Sequence, residues 1–420
     1  MENNIRLINP NLKEKGKICE IEYSSGFNNI FEIFSPINNN TTKEKYIIFT
    51  KDNFDLNILN LKTLLLVKKL TGHKKHVTQI KYYSNSNKNR YLIDNINIEE
   101  IIKKNEEIEN EGKDKSKNES NILNSEKNEN NNIKKEDESR EIKGQISKNE
   151  NILLSNDNQN KNSLEYIISS DMLGFVFLWN VNHSYEIEYI IESNYQNYIY
   201  SILILFNINN YNFLITTTLG RFNNKVDFSK LYLLSNGKFF KNVYATNRNN
   251  TTYIIPWYNK NNNELYLIEF CRYYISINNI LKDEVYHIFK NEGDYNKYYS
   301  GFIYVKNGKD YLVSCSYNGQ VDVWDLFNKK LEIYLTISNT RLYSISNWNK
   351  NFFIVGDFNK GELIIIELNT FKIVTKIYNK NIKNMVSLKK IKHPFHDDSL
   401  LFLCGSKLYH HLSDKRNPFR

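Results

Sequence analysis

A short pattern in which two apolar side chains are separated by two other residues recurs along this chain at nearly regular intervals. The apolar residues of the chain are mainly Ile, Leu, Tyr, Phe and Val, which favour β-strands. Regular spacing of similar strand-forming segments predicts a repeat architecture, in which each repeat is one small structural unit. The copies begin at Ile30, Val77, Ile199, Ile254, Tyr299, Leu342 and Met385, so that their starts are 47, 122, 55, 45, 43 and 43 residues apart.

The one long interval contains a segment of very different composition. Residues 92–162 contain no aromatic residue and no proline, in a chain with 30 Tyr and 24 Phe. They carry 12 Lys and Arg against 17 Asp and Glu, a net charge of −5, which leaves +14 for the remainder of a chain whose total is +9. Such a segment cannot bury enough apolar surface to offset its ordering entropy. We therefore expect a disordered insert. Three roles for it remain open: a regulated tether, an acidic arm that masks the basic remainder of the chain, or low-complexity padding without a function.

Removing the insert restores the period. Without its 71 residues, the long interval shrinks from 122 to 51 residues. A propeller blade of four strands takes about 40–45 residues, which is close to all of the intervals. The pattern therefore predicts a ring of small antiparallel sheets.

A second motif narrows the class of repeat. The segments SSDMLGFVFLWN and SCSYNGQVDVWD each place a tryptophan five residues after a glycine. The tryptophans are Trp179 and Trp324, and Asp325 follows the second one. Gly72 and His73 stand just before the second copy of the strand pattern. With these motifs the chain resembles the WD40-repeat family, and the resemblance implies structural roles for all five residues.

The resemblance implies an all-β fold, a seven-bladed β-propeller of four-stranded antiparallel blades with the disordered insert in blade 2. The last blade lacks a fourth strand, which the N-terminal stretch KICEIEY can supply, so that ring closure removes exposed sheet edges. The expected organisation is an N-terminal tail (1–16), the closing strand, blade 1 and the start of blade 2 (17–91), the insert (92–162), the remaining propeller (163–412) and a C-terminal tail (413–420).

Members of this family join a His, a Ser or Thr, a turn Asp and the Trp in a hydrogen-bonded tetrad. In this chain Asn318 stands at the expected Asp position before Trp324, and Leu173 stands at the corresponding position before Trp179. Asp171 comes two residues too early. We therefore expect the tetrad to be incomplete in every blade, and stability to depend on apolar packing between blades.

No motif for catalysis or metal binding stands out. The chain has no Gly-rich phosphate loop, nucleophile elbow or HExxH motif. His73 with His76, and His393 with His396, offer two ligands each, whereas zinc sites usually need three or four. The four cysteines are far apart, as expected for buried reduced thiols. We therefore expect no enzyme, no cofactor, no metal and no small-molecule substrate.

The chain also lacks features that target proteins to membranes or to secretion. No apolar run is long enough to span a bilayer, and the N-terminus has no signal-peptide core. We therefore expect no membrane partner and an intracellular location, either cytoplasmic or nuclear.

In propellers, the residue before the inner strand of each blade tends to lie at the top opening of the central channel. We therefore predict that these residues form a partner-binding ring. Tyr and Arg dominate interaction hot spots, and Lys74, Lys75 and Arg341 favour an acidic peptide. The tyrosines can instead cap strands in a Tyr-rich chain, and a shift of one residue would turn each side chain to the opposite face. The predicted ring consists of Asn29, His76, Tyr198, Tyr253, Tyr298, Arg341 and Asn384.

Three functions remain open from the sequence. The first hypothesis is a non-catalytic scaffold that mediates protein–protein interactions within a multiprotein complex through the top face. The alternative is a propeller associated with RNA or ribonucleoprotein, for example in ribosome assembly, based on the +14 remainder and the basic stretch 376–392. The third, an enzyme on a propeller scaffold, would need a clustered acid–base or metal set in the channel.

Overall fold

The structure is a computed structural model, and the chain divides into two compact units, residues 1–95 with 164–420, and residues 96–163. All strands described below belong to the first unit. Most of the predicted insert and of both tails lies outside the described residues, so the disorder of the insert stays a prediction. The described residues are 6–7, 18–22, 31–36, 44–51, 54–61, 63, 65–84, 90–91, 98–100, 103, 165–192, 200–209, 211–219, 229–243, 251–282, 284–290, 297–378, 385–391, 399–404 and 407–412.

Six blades make up most of the first unit. A blade is here a four-stranded antiparallel sheet whose strands come from one part of the chain and pair in chain order. Blade 1 contains β3 (Phe31–Phe34), β4 (Tyr46–Lys51), β5 (Asp55–Asn60) and β6 (Leu66–Leu70). Blade 2 contains β7 (Val77–Ser84), β9 (Glu165–Asp171), β10 (Phe175–Asn180) and β11 (Glu186–Glu192). Blade 3 contains β12 (Tyr200–Ile208), β13 (Tyr211–Leu219), β14 (Ser229–Leu233) and β15 (Phe239–Val243).

The second half of the unit repeats the same arrangement with shorter connections. Blade 4 contains β16 (Tyr253–Asn259), β17 (Glu264–Phe270), β18 (Ile275–Asn279) and β19 (Val285–Phe289). Blade 5 contains β20 (Tyr298–Lys306), β21 (Lys309–Ser316), β22 (Gln320–Asp325) and β23 (Lys330–Thr336). Blade 6 contains β24 (Leu342–Asn347), β25 (Phe352–Asp357), β26 (Glu362–Glu367) and β27 (Ile373–Tyr378).

The remaining sheet, called the closing sheet, differs from the blades because both ends of the chain contribute to it. Its five strands pair in the order β1 (Arg6–Leu7), β2 (Ile18–Glu22), β30 (Lys407–Leu412), β29 (Ser399–Cys404) and β28 (Met385–Ile391). The prediction of seven four-stranded blades is therefore wrong, since six blades are completed by this composite five-stranded sheet. The predicted antiparallel pairing of the N-terminal stretch with the last strand is present, as β2 pairs with β30.

The connection between the first two strands of blade 2 is unusually long. β7 pairs directly with β9, although the insert separates them in the sequence. At the start of this connection β8 (Arg90–Tyr91) pairs in parallel with β12, as a fifth strand beside blade 3. The chain therefore crosses from blade 2 to blade 3 before the insert begins, which the sequence did not indicate.

Neighbouring sheets contact one another through their first strands. Contacts join β3 with β7, β7 with β12, β12 with β16, β16 with β20, β20 with β24, and β24 with β28. Each blade thus lies beside the blade that follows it in the chain. This succession of antiparallel sheets, with the two chain ends paired in one sheet, is the architecture of a β-propeller.

The hydrophobic core lies between the blades. Ile58 of blade 1 and Trp179 of blade 2 belong to one buried cluster, and Trp257 of blade 4 and Trp324 of blade 5 belong to another. The indole Nε1 of Trp257 also donates a 2.9 Å hydrogen bond to Asp310 of blade 5. Burying one large apolar side chain stabilises a fold by about 1.5–3 kcal/mol. Large apolar side chains are therefore buried where neighbouring blades meet, and the expected dependence of stability on this packing stays a prediction.

A hydrogen-bonded tetrad in blade 2 adds a polar element to this core. The indole Nε1 of Trp179 donates to the Ser169 hydroxyl at 2.8 Å, and that Oγ lies 2.7 Å from His73 Nε2. His73 Nδ1 lies 3.2 Å from Asp171 Oδ2. Because a carboxylate oxygen only accepts hydrogen bonds, Nδ1 carries the proton given to Asp171, which leaves Nε2 to accept the proton of the Ser169 hydroxyl. The predicted incomplete tetrad is therefore wrong for blade 2.

Asp171 completes the tetrad because strand pairing, not distance along the turn, decides its position. Asp171 pairs with Val77, which lies four residues after His73. The side chains of His73 and Asp171 are both almost fully buried. Its second oxygen, Oδ1, accepts hydrogen bonds from the amides of Leu173 at 3.0 Å and Phe175 at 3.1 Å. Asp171 thus connects the tetrad to the turn between β9 and β10.

Blade 5 retains half of this network. Trp324 Nε1 donates to the Ser314 hydroxyl at 3.0 Å, as Trp179 donates to its serine. Tyr298 pairs with Ser316, so Ser316 and not Asn318 takes the position of the tetrad aspartate. In this blade the tryptophan and one serine are therefore joined without the aspartate.

Blade 6 uses smaller side chains for the same purpose. Asp357 pairs with Leu342 and thus takes the position of Asp171. Ser338, four residues before Leu342, donates to Asp357 Oδ2 at 2.5 Å, and Thr340 donates to Oδ1 at 2.6 Å. A hydroxyl therefore replaces the imidazole as the partner of the buried carboxylate.

The residue that follows Trp324, and the one that follows Trp179, each bind backbone amides of the next turn. Asp325 Oδ1 accepts hydrogen bonds from the amides of Phe327 and Asn328 at 2.9 and 2.8 Å. Burial alone would raise the pKa of Asp325, but hydrogen bonds from Asn328 and Phe327 hold it below the usual value. In blade 2 Asn180 Oδ1 accepts from the amide of Asn182 at 3.0 Å. The side chain of Asp325 therefore holds the turn between β22 and β23.

Removing the serine of the blade 2 tetrad tests the contribution of the network. We expect Ser169→Ala to lower the free energy of unfolding by about 1–3 kcal/mol, because the buried indole and imidazole both lose a partner. Ser314→Ala, which removes a serine bonded to the equivalent tryptophan of blade 5, is the matched control and should cost less. Urea unfolding of both variants measures the difference, and equal losses would show that the histidine link adds nothing.

Two glycines with the same backbone conformation allow the cost of a steric clash to be measured apart from the cost of backbone strain. Gly319 (φ +78°) and Gly308 (φ +75°) both occupy the left-handed region, where a side chain costs about 1–2 kcal/mol. A Cβ at Gly319 would lie 2.0 Å from the Ser338 carbonyl oxygen, whereas one at Gly308 meets nothing within 4 Å. We expect Gly319→Ala to lower the midpoint of thermal unfolding clearly more than Gly308→Ala does. Similar shifts would mean that the contact with residue 338 relaxes freely.

Candidate functional site

The residue before the first strand of a blade has the same backbone environment in several blades. His76 precedes β7, and its carbonyl oxygen accepts a 2.9 Å hydrogen bond from the amide of Met172, just beyond β9. Arg341 precedes β24, and its carbonyl accepts from Phe358, just beyond β25, also at 2.9 Å. The loops before the first strand and after the second strand therefore lie together at one end of the blade, here called the top end.

In blade 5 this position belongs to Lys297 and not to Tyr298. The Lys297 carbonyl accepts a 2.8 Å hydrogen bond from the Tyr317 amide, as in the other blades. Tyr298 is 0% exposed, and its ring lies 6.3 Å from Trp324, edge to face, in the core. The one-residue difference turns the side chain from the surface into the interior, as alternation along a strand requires. Tyr298 is therefore not part of an exposed ring.

The other predicted ring residues have separate surroundings. Tyr253 is 36% exposed at the start of β16, and its ring lies 5.8 Å from Phe270. His76 is exposed and stacks on Phe54 of blade 1 at 5.1 Å. The partner-binding role of these two residues stays a prediction. Three further members lie outside the described residues, namely Asn29, Tyr198 and Asn384.

Three cationic residues from neighbouring blades lie close together at the top end. Arg272 follows β17 of blade 4, Lys297 precedes β20 of blade 5, and Arg341 precedes β24 of blade 6. The Tyr298 amide donates to the Cys271 carbonyl at 3.3 Å, which ties the segments of Arg272 and Lys297 together. We call this region the cationic–aromatic surface, defined by Arg272, Tyr273, Lys297, Tyr299, Tyr317, Arg341, Tyr343 and Phe358.

Aromatic rings hold the cations in place. The guanidinium of Arg341 lies 4.4 Å from the centroid of the Tyr317 ring, and its Nη2 donates to the Tyr317 hydroxyl at 2.7 Å. Tyr299 stacks on Tyr343 with centroids 3.9 Å apart, and Tyr343 stacks on Phe358 at 4.7 Å. These rings form a continuous tier across blades 5 and 6, which limits the motion of the charged groups.

Lys297 joins the same tier from the side of blade 4. Its ammonium nitrogen lies 5.1 Å from the centroid of the Tyr299 ring, and Tyr299 is 6.5 Å from Tyr317. Arg272 lies 5.0 Å from the centroid of the Tyr273 ring. Each of the three cations is thus placed beside a ring, an arrangement that stabilises a cation by about 0.5–1 kcal/mol at exposed sites.

The electrostatics of this surface are unbalanced. Among the described residues, no carboxylate forms an ion pair with Arg272, Lys297 or Arg341. Burial lowers the pKa of Lys297, and the positive charges of Arg272 and Arg341 lower it further. Three like charges therefore accumulate here without a counter-charge from the described chain, and an anionic ligand would relieve their repulsion.

The described residues show no grouping for covalent or metal chemistry. No set of three or more His, Cys, Asp or Glu residues in the described part of the chain could hold a metal ion. Cys271 and Cys315 are buried free thiols, and burial raises the pKa of Cys315 to about 12. No described helix has the length and the apolar composition needed to cross a membrane. The cationic–aromatic surface is therefore the strongest candidate site that the described residues form.

Comparison with known proteins supports the class of fold. No protein-family model and no curated protein matches the sequence. The chain is similar to the crystal structure of the β-propeller domain of Cps50 (Swd1) from Myceliophteria thermophila, with a TM-score of 0.55 and 11% identity over 95% of this chain and 100% of that one. At this identity the likeness shows the fold alone, and the chain is a β-propeller.

Sequence reasoning found one of the three cations. Arg341 was predicted, whereas Lys297 was passed over for its neighbour Tyr298, and Arg272 and Tyr317 lie in loops that the prediction did not consider. These loops follow the second strand of their blades. Examining both loop positions of each blade would have found the surface, because strand pairing brings the two loops together.

The titration of Lys297 tests the electrostatics of this surface. We expect its pKa to lie below the ordinary value of a lysine, because burial and two nearby arginines disfavour the charged form. NMR of ¹³Cε-labelled lysine measures this pKa. Arg272→Gln with Arg341→Gln should raise it, whereas Lys350→Gln, an exposed lysine at the opposite end of blade 6, should not change it. If the pKa of Lys297 were the same in the double variant, the two arginines would have no electrostatic effect on it.

Proposed function

We propose that this protein is a non-enzymatic WD40-type propeller that holds an acidic segment of a protein partner on its cationic–aromatic surface, as a scaffold within a larger complex. The propeller fold supports the class, together with the Trp–Ser–His–Asp tetrad of blade 2. The observation that carries the proposal is the accumulation of three cations from three blades with no described counter-charge. An intracellular location stays part of the proposal.

The composition of the surface suits a protein partner. Tyr and Arg are enriched among residues that contribute most to binding, and Tyr317 and Tyr273 are 38% and 39% exposed. Complementary charge raises association rates and selects partners of the opposite sign. Because the aromatic tier already holds the cations in place, little side-chain entropy is lost on binding.

Binding of RNA is less well supported by the same contacts. Single-stranded nucleic acids stack bases on free aromatic faces. Here Tyr299, Tyr343 and Phe358 stack on one another. An arginine lies over each of the two exposed rings, Tyr317 and Tyr273, and leaves less of each ring for a base. In the basic stretch 376–392, Lys376 lies 3.7 Å from Glu362, which partly neutralises it. RNA binding is therefore an outcome to be tested.

A defined acidic probe tests the proposal. We expect a fluorescein-labelled decapeptide of equal Glu and Ser content to bind the full chain, and the variant Arg272→Gln/Arg341→Gln to lose at least about tenfold in affinity, since each charge-assisted contact contributes about 1.5–3 kcal/mol. Fluorescence anisotropy measures the dissociation constant.

The matched control removes two positive charges elsewhere. Lys309→Gln/Lys350→Gln changes exposed lysines at the hairpins of blades 5 and 6, opposite the top end. It should keep the affinity of the unsubstituted chain. Equal losses in both double variants would indicate attraction by net charge alone, and tighter binding of labelled decauridylate would favour the RNA alternative.

A further inference from the structure

We infer that the cationic–aromatic surface recognises a phosphorylated side chain on its partner, with the phosphomonoester held between Arg272, Lys297 and Arg341. The inference rests on the proposed function, because it specifies the chemistry of the acidic segment. Three features of the surface lead to it: the number of cations, the way in which the backbone holds them, and the charge that they leave unmatched.

The three positive charges of the surface exceed the single negative charge of one carboxylate. A carboxylate carries one charge on two oxygens, whereas a phosphomonoester carries about −1.5 to −2 at neutral pH on three oxygens. Arg272, Lys297 and Arg341 come from three different blades and offer three separate cationic donors to one group. Charge-assisted hydrogen bonds of this kind are about twice as strong as neutral ones.

The backbone sets these three positions in the free protein. A hydrogen bond between Tyr298 and Cys271 joins the segments of Lys297 and Arg272. A second bond, between Tyr317 and the Lys297 carbonyl, places the Tyr317 ring beneath Arg341. A site whose donors are already placed loses less entropy when the ligand binds. The surface is therefore pre-organised across blades 4, 5 and 6.

The contacts of Arg341 leave most of its donors available. Its guanidinium has five N–H donors, and one of its nitrogens, Nη2, donates to the Tyr317 hydroxyl. Its contact with the Tyr317 ring, 4.4 Å from the centroid, uses no further donor. Arg341 can therefore present a planar fork to phosphate oxygens, which is the geometry that arginine provides and lysine does not.

The charged groups around Lys297 predict how binding depends on pH. They are Arg272 from the loop after β17 and Arg341 from the loop before β24, with Tyr299 of β20 against its ammonium. Because its pKa is lowered in the free protein, Lys297 loses its proton earlier than an ordinary lysine as the pH rises. A bound dianion favours the protonated form, so alkaline pH should weaken binding.

Peptide libraries test the inference with defined probes. Three fluorescein-labelled nonapeptide libraries share four random residues on each side of a central position. That position is an equimolar mixture of phosphoserine, phosphothreonine and phosphotyrosine in the first, Glu in the second and Ser in the third. We expect the phosphorylated library to bind the full chain at least tenfold more tightly than the Glu library, measured by anisotropy at 150 mM salt.

Variants and pH separate the phosphate contact from general attraction. Lys297→Gln should abolish the preference for the phosphorylated library, whereas Lys297→Arg and the control Lys350→Gln should keep it. Affinity should rise between pH 5 and 7, as the phosphate gains its second charge near a pKa of about 6. It should fall at alkaline pH in the unsubstituted chain and not in Lys297→Arg, since arginine stays charged.

Each other outcome overturns a different part of the argument. Equal binding of the Glu and phosphorylated libraries would overturn the phosphate inference and leave the proposed acidic-partner function intact. Failure of all three libraries and of the acidic decapeptide to bind would overturn both. Tighter binding of labelled decauridylate than of the phosphorylated library would replace both with RNA recognition.

Discussion

Apolar side chains cover both faces of the four-stranded sheets. A single blade in water would therefore expose many of these side chains to solvent. Each described cluster of buried residues draws on two successive blades, such as blades 1 and 2, or blades 5 and 6. A linear stack of blades would still leave the outer faces of its first and last members open. Pairing β2 with β30 joins the two ends of the chain in one sheet, which removes a free strand edge there.

The polar network of blade 2 shows how a buried charge is accommodated in such a core. Asp171 is almost fully buried, and its oxygens are matched by His73 and by the amides of the following turn. In blade 6 two hydroxyl groups donate hydrogen bonds to the buried carboxylate of Asp357. Blade 5 has no carboxylate at the corresponding position, which is occupied by Ser316. Divergence of the motif between blades therefore follows the requirement that a buried carboxylate have partners.

The cationic–aromatic surface is a consequence of the same stacking of sheets. Loops at the top end of consecutive blades must lie beside one another, since the strands that carry them are in contact. Arg272, Lys297 and Arg341 are 25 and 44 residues apart in the sequence, yet the charges of both arginines lower the pKa of Lys297. A propeller can thus assemble a binding site from residues that no short motif connects, while its core remains unchanged.

The sequence alone determined the strand content, the period of the repeat, the position of the insert within blade 2 and the structural motif around Trp179 and Trp324. These features depend on local patterns of apolar residues and turns, which a chain carries whatever its tertiary contacts are. Only the tertiary structure decided that Asp171 completes the tetrad, that six blades are joined by a composite sheet, and that Lys297 rather than Tyr298 reaches the surface. The physical reason is that strand pairing sets which side of a sheet each residue faces and which distant loops meet, and both depend on hydrogen bonds between segments far apart in the chain.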